Sequence, residues 1–251
     1  MISNFMNILG VRVDNLNKKE ILEKVDYFLS EPKFHQIATV NPEFILEAQK
    51  NEEFRNILNN CDLNIADGIG IKFAFWRFGK HLKCRMAGID LVQKILKMAI
   101  DRGLSIFLAV NKDGLSTWEE TRDAILKIYP NITISGANLN KSGIATGSFA
   151  NAQDDKKNVI DILFVNFGAP YQELFIKRAK YDNIRLAIGV GGSFDFLTGK
   201  TKRAPVLVCQ LGLEWLFRFF WQPHRWKRIW NAVVVFPMKV IFRASEMQND
   251  K

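Results

Sequence analysis

From residue 35 onward, short β-branched or apolar runs alternate with longer stretches of helical periodicity, and this alternation restricts the fold more than any single motif. HQIATVN (35–41), DLNIADG (62–68), LSIFLAV (104–110), NITISGA (131–137), VIDILFVNFG (159–168) and NIRLAIGVGG (183–192) read as strands. Helical spacing fills 17–30, where Ile21, Leu22, Val25, Phe28 and Leu29 share a face, and recurs over 42–61, 69–79, 88–103, 114–130 and 171–180. Residues before 17 read as a short hydrophobic lead. Parallel strands need crossover connections and become buried on both sides, so the pattern predicts an α/β fold: a mostly parallel, Rossmann-like sheet sandwiched by helices. Such sheets bind ligands beyond the carboxyl ends of their strands. Thr39, Asn41, Asp67, Asn166 and residues 189–195 all fall at those ends.

Around Pro205 the strand pattern stops. The expected division is an α/β domain over 1–203 and a C-terminal amphipathic helical appendage over 204–251. EWLFRFFWQPHRWKRIW (214–230) holds four of the six tryptophans, Trp215, Trp221, Trp226 and Trp230, and reads as parts of two aromatic, basic helices separated at Gln222-Pro223. Farther on, Trp226, Ile229, Trp230, Val233, Pro237, Val240 and Ile241 follow amphipathic spacing. That stripe suits either a helix lying on an anionic membrane or one packed on a core. The longest uncharged runs, 204–213 and 229–238, fall short of the roughly 18–20 residues a spanning helix needs.

A formal net charge of +9 favours an anionic partner without choosing among nucleic acid, phospholipid and phosphorylated substrate. The three scattered cysteines, Cys61, Cys84 and Cys209, fit a reduced protein, and the start shows no secretory signal, so the expected location is inside the cell. The polar stretch 142–158 reads as a surface excursion.

GVGGSFDFLTGKT (189–201) resembles two nucleotide motifs and matches neither, because both the dinucleotide fingerprint and the phosphate loop need glycine where Phe194 stands. Its glycines still allow close backbone approach to an anion, or a purely structural turn. No metal-binding box or nucleophile elbow is present, so neither a metal nor another cofactor is expected. If the substrate carries a diphosphate leaving group, its developing charge then falls to Arg, Lys, helix N-termini or backbone amides. Asp67 ends an apolar strand before Gly68 and reads either as a general base or as a helix cap. Thr39 and Asn41 read as sugar-binding groups or as caps of the helix starting at Pro42.

The ordered motifs TVNPEF (39–44), ADGIGI (66–71), RMAGIDL (85–91), GAPYQELF (168–175), GVGGSFDFLTGKTKRAP (189–205), GLEWLFR (212–218) and QPHRWKR (222–228) resemble the WecG/TagA/CpsF family of bacterial glycosyltransferases over nearly the whole chain. The resemblance implies an inverting transfer of N-acetylmannosamine, or a related sugar, from a UDP-sugar donor to a polyprenyl-diphosphate-linked acceptor at the cytoplasmic face of the membrane. It implies that Asp67 is the base, with Thr39 and Asn41 near the sugar. Arg85 and Gln172 also fall on family positions. The turn Gly191-Gly192 receives UDP, with Asp195 close to the nucleotide, and Arg218, Arg225 and Arg228 close over the diphosphate. Tyr171 stands where the family usually has Lys, and the excursion at 142–158 is atypical. A lipid-linked acceptor favours the membrane-surface reading of the tail; a homo-oligomer is compatible.

Two other classes compete. A nucleic-acid protein would use the tail's Trp and Arg, but these alternate with a broad apolar face and no RNA or DNA motif accompanies them, so no nucleic-acid partner is expected. A non-catalytic membrane scaffold that binds nucleotide sugars would leave Asp67 as a cap.

Overall fold

The computed structural model describes residues 4–141, 160–179, 184–221 and 226–249. Within them eight strands form one sheet, in the spatial order β1 (Phe5–Ile8), β2 (Val11–Asp14), β4 (Leu63–Ala66), β3 (His35–Val40), β8 (Leu186–Gly189), β7 (Ile162–Val165), β5 (Ser105–Asn111) and β6 (Thr133–Leu139). All pairings are parallel except β1 with β2. Every residue of β3, β4, β7 and β8 is buried, as strands covered on both faces require.

Helices cover the two faces. On one side α1 (Lys18–Ser30), α5 (Gly88–Arg102) and α6 (Trp118–Ile128) pack through Val25, Leu91, Ile95 and Ile125. On the other lie α2 (Pro42–Ala48), α3 (Glu52–Asn60), α4 (Ile69–Arg77) and α7 (Tyr171–Arg178), contributing Ile45, Leu58, Phe75 and Ile176.

The N-terminal lead is a hairpin. Met6, Ile8, Val11 and Val13 are buried while Phe5 is exposed, and Leu9 (φ 49°) and Gly10 (φ 85°) form a two-residue turn with both central φ positive, the geometry that matches strand twist. The expected helix over 42–61 is two, because the N–H groups of Lys50 and Asn51 both bond Glu47 O and the Asn51 side chain starts α3 by accepting from Phe54 N. The helix expected from 114 begins at Trp118. There Thr117 and Glu120 form a reciprocal capping box.

Beyond β8 run α8 (Ser193–Leu197), α9 (Val206–Gln210), α10 (Glu214–Trp221), α11 (Trp226–Trp230) and α12 (Phe236–Asn249), more pieces than the two aromatic helices expected. The five-residue π-turn Asn231–Val235 joins the last two, and the N–H of Phe236 bonds Asn231 O. This turn takes in an extra residue and splits the predicted stripe. Trp226 and Trp230 are 53% and 56% exposed, whereas Phe236 and Val240 are fully buried beside Phe44, Ile71 and Phe75. The Gln222-Pro223 break and the 142–158 excursion lie outside the described residues.

Candidate active site

A cavity of about 560 Å³ opens at the carboxyl edge of the sheet, within the range typical of small-molecule sites. Strand ends supply its floor: Thr39 and Asn41 after β3, Asp67 after β4, Asn111 at β5, Asn166 after β7, and Gly191 with Gly192 after β8. The β7 crossover leads to β8 and the β5 crossover to β6, in opposite directions, so the adjacent ends of β5 and β7 part and leave a crevice. Across it the Asn111 backbone N–H donates to Asn166 Oδ1 at 2.6 Å. The other wall comes from the tail, through Glu214 and Trp215 of α10, Arg228 and Ile229 of α11, and Ala232 and Val233 of the π-turn.

Asp67 continues the β4 line, with its N–H bonded to Val40 O at 2.8 Å. The chain then swings through Gly68 at φ 86°, and it is Gly68 that stands at the N-cap of α4, where no side chain caps the helix. Asp67 itself is half-buried and lines the cavity. Close packing fixes this arrangement, since a Cβ on Gly70 would lie 2.6 Å from Pro42 Cγ. The first turns of α2 and α4 thus touch, setting the Thr39–Asn41 corner beside Asp67.

Asn41 is the α2 N-cap, with Oδ1 accepting from Glu43 N (2.9 Å) and Phe44 N (3.1 Å). Thr39 is buried in the cavity wall next to Gly88, where α5 begins. Arg85 reaches across to the tail, its Nη2 donating to Cys209 O at 2.5 Å. Asp195 on α8 lines the same cavity; its Oδ1 accepts from the buried Ser116 hydroxyl at 2.8 Å, and that hydroxyl also meets Thr198 Oγ1 at 2.8 Å.

Gln172 works on the glycine turn from behind. Its Oε1 accepts from Gly168 N and Gly191 N, both at 3.1 Å, and its Nε2 donates to Glu173 Oε1 at 2.6 Å. The Gly191 amide is consequently occupied inside the protein. Gly189 leaves room for this clamp: a Cβ there would fall 2.2 Å from Gln172 Nε2. Glu173 is 1% exposed, and burial pushes its carboxyl up to about 8, which favours the neutral acid near pH 7.

Arg228 makes a two-pronged ion pair with Glu43, Nε to Oε1 at 2.8 Å and to Oε2 at 3.1 Å, and Nη2 to Oε2 at 2.5 Å. Of the other two arginines expected in the site, Arg218 lies on α10 with only its backbone described, and Arg225 lies outside the described residues. Nine of the eleven expected positions line this one cavity. Glu43, Asn111 and Ser116 were missed. Asn111 ends an apolar strand just as Asn166 does and was readable on that signal, whereas Glu43 and Ser116 gain their roles from partners 185 and 79 residues away. Among the described residues, no group of three or more His, Cys, Asp or Glu side chains is arranged to hold a metal ion.

Residues 6–250 match the Glycosyl transferase WecG/TagA/CpsF family. Three similar proteins are N-acetylglucosaminyldiphosphoundecaprenol N-acetyl-beta-D-mannosaminyltransferases. The one from Bacillus spizizenii is 32% identical over 206 residues, covering 80% of this chain and 77% of the relative. That from Bacillus subtilis is 32% identical over 222 residues, covering 86% and 80%. That from Staphylococcus aureus is 28% identical over 248 residues, covering 94% and 91%.

Proposed function

This chain belongs to the WecG/TagA/CpsF family of glycosyl transferases, and from that premise we propose that it moves N-acetylmannosamine from a UDP-linked donor to N-acetylglucosaminyl-diphosphoundecaprenol. The observation that carries this reading is the convergence on one cavity of Asp67, Thr39, Arg85, Asp195 and Arg228, brought by two strand ends, the segment leading into α5, a short helix and the tail.

A sugar hydroxyl is a weak nucleophile at neutral pH, so a carboxylate that takes its proton as the new bond forms lowers the barrier. In the proposed step the acceptor oxygen attacks the anomeric carbon, the bond from that carbon to the diphosphate oxygen breaks, UDP departs with the electron pair, and the proton passes to Asp67. A single displacement of this kind inverts the anomeric centre. The β-linkage in the relatives' names is what inversion of an α-linked UDP donor gives. Glu43, a carboxylate at the same corner, is engaged by Arg228 in an ion pair. Arg228, with Arg218 and Arg225 of the same tail, supplies positive charge to the departing diphosphate, and Asp195 holds the nucleotide side.

The tail beyond residue 204 is assigned both the cavity wall and peripheral attachment to the cytoplasmic leaflet. Exposed Phe220 (74%), Trp221 (60%), Trp226 (53%) and Phe242 (63%) beside Lys and Arg suit an anionic interface, and among the described residues no helix is long and apolar enough to cross a membrane. Mixing UDP-N-acetylmannosamine, UDP-N-acetylglucosamine or UDP-glucose with a short-chain polyprenyl-diphosphate-GlcNAc and weighing the product tests the reaction. Transfer from the first donor is expected; transfer from none would leave a nucleotide-sugar-binding scaffold.

A further inference from the structure

The cavity changes character from one end to the other. At the β5/β7 end its polar groups gather, Asn111, Asp113, Asn166 and Asp195, with Leu115 and Phe167 beside them. At the tail end, next to Arg228 and Glu214, its wall carries the apolar side chains of Ile69, Trp215, Ile229, Ala232 and Val233. Two of those come from the π-turn, a distortion often found at functional sites because it presents side chains that a regular helix turns elsewhere. The wall is tightly built on its inner side: Gly212, at φ 75°, lies against Ile69 so closely that a Cβ would stand 2.7 Å from Ile69 Cδ1.

An apolar wall continuous with a polar catalytic cavity fits a substrate that is itself polar at one end and hydrocarbon at the other. Given the transferase reading above, on which this rests, the acceptor's diphosphate lies by Arg228, and the chain esterified to it must leave within one or two bonds of that point. The nearest non-polar surface is this wall. We propose that Ile69, Trp215, Ile229, Ala232 and Val233 form a subsite for the first isoprene units of the polyprenyl diphosphate acceptor, so that the enzyme grips lipid inside its own fold as well as at the membrane. Burying apolar carbon here makes catalysis sensitive to the length of the proximal chain, up to the number of units the wall covers.

The test uses the full-length protein without vesicles or detergent, UDP-N-acetylmannosamine as donor, and GlcNAc-diphosphate acceptors carrying one, two, three or six isoprene units below their aggregation concentrations. For the parent enzyme, kcat/KM should rise about tenfold from one unit to three and then level off. In Ala232→Glu and in the isosteric Val233→Thr, the three-unit to one-unit ratio should fall toward one, with UDP binding by calorimetry reporting that each variant is folded. A ratio near one in the parent, or a parental ratio kept in both variants, overturns the subsite. A steady rise out to six units also overturns it, because that pattern belongs to a bulk surface. Absence of transfer to every acceptor overturns the transferase reading itself and the subsite with it.

Discussion

Arg228 of the tail and Glu43 at the start of α2 are clasped through both Nε and Nη2, although 185 residues separate them. The pair joins the segment that carries the expected diphosphate-binding arginines to the corner holding Thr39, Asn41 and Asp67. Its side chains are partly open to water, 61% for Arg228 and 25% for Glu43, so its worth to stability is about 1 kcal/mol or less. Its larger effect is orientation. Glu43→Gln is expected to leave the melting temperature within a few degrees while lowering kcat/KM roughly tenfold, about 1.4 kcal/mol of transition-state binding. Parental kinetics in that variant would show that the pair idles during turnover.

Asp67→Asn keeps shape and polarity while removing the proton acceptor. Turnover should fall by about 10²- to 10⁴-fold with UDP affinity unchanged. Steady-state rates together with calorimetric UDP titration check this, and an active variant would return Asp67 to a structural role.

Glu173 makes stability depend on pH with an unusual sign. Its folded carboxyl titrates at about 8 against an ordinary value of 4.5, because burial disfavours the charged form. Between those values the folded protein holds a proton that the unfolded chain has released, so this group's contribution to stability declines as pH rises from about 4.5 to about 8, then stays level. Glu173→Gln should flatten that slope. Urea midpoints at pH 5, 6.5 and 8 for both proteins provide the comparison; equal slopes would mean that the carboxyl ionises freely.

Gly189→Ala drives a methyl group into the Gln172 side chain, 2.2 Å from Nε2. The clamp on Gly168 and Gly191 must then shift, at about 1–3 kcal/mol of stability, and UDP should bind more weakly because the turn it holds is displaced. Unaltered unfolding and unaltered UDP binding would together show that Gln172 re-seats without consequence.

The two faces of the tail separate by mutation. Phe236→Ala should cost about 3–4 kcal/mol, since the side chain is fully buried against α2 and α4. Trp230→Ala should change stability by less than about 0.5 kcal/mol yet weaken sedimentation with anionic vesicles. If Trp230→Ala sediments like the parent, that residue does not meet lipid.

The sheet was readable because its central strands carry unbroken apolar runs, and the clustering of Thr39, Asn41, Asp67 and Gly191 followed from where those runs stop. Readings failed where local chemistry overrode periodicity. Asn51, a cap inside a helical stretch, divides 42–61, and the Leu9-Gly10 turn makes a hairpin of the short hydrophobic lead. Gln172 sits on a motif position, yet its hydrogen bonds to Gly168 and Gly191 appear only after β8 is placed beside β7. Phe236 falls outside the amphipathic stripe of an unbroken 3.6-residue period, and the π-turn Asn231–Val235 is what brings it to the core.

That break carries a consequence for how the protein tolerates insertions and deletions. Each residue added to or removed from a helix rotates everything downstream by about 100°. The surplus residue in Asn231–Val235 lets Ile229 face the cavity while Phe236 and Val240 face the core. Deleting one residue there would let the helix close into regular turns and swing either Phe236 out of its socket or Arg228 away from Glu43. In this stretch the length of the chain matters as much as the side chains it carries.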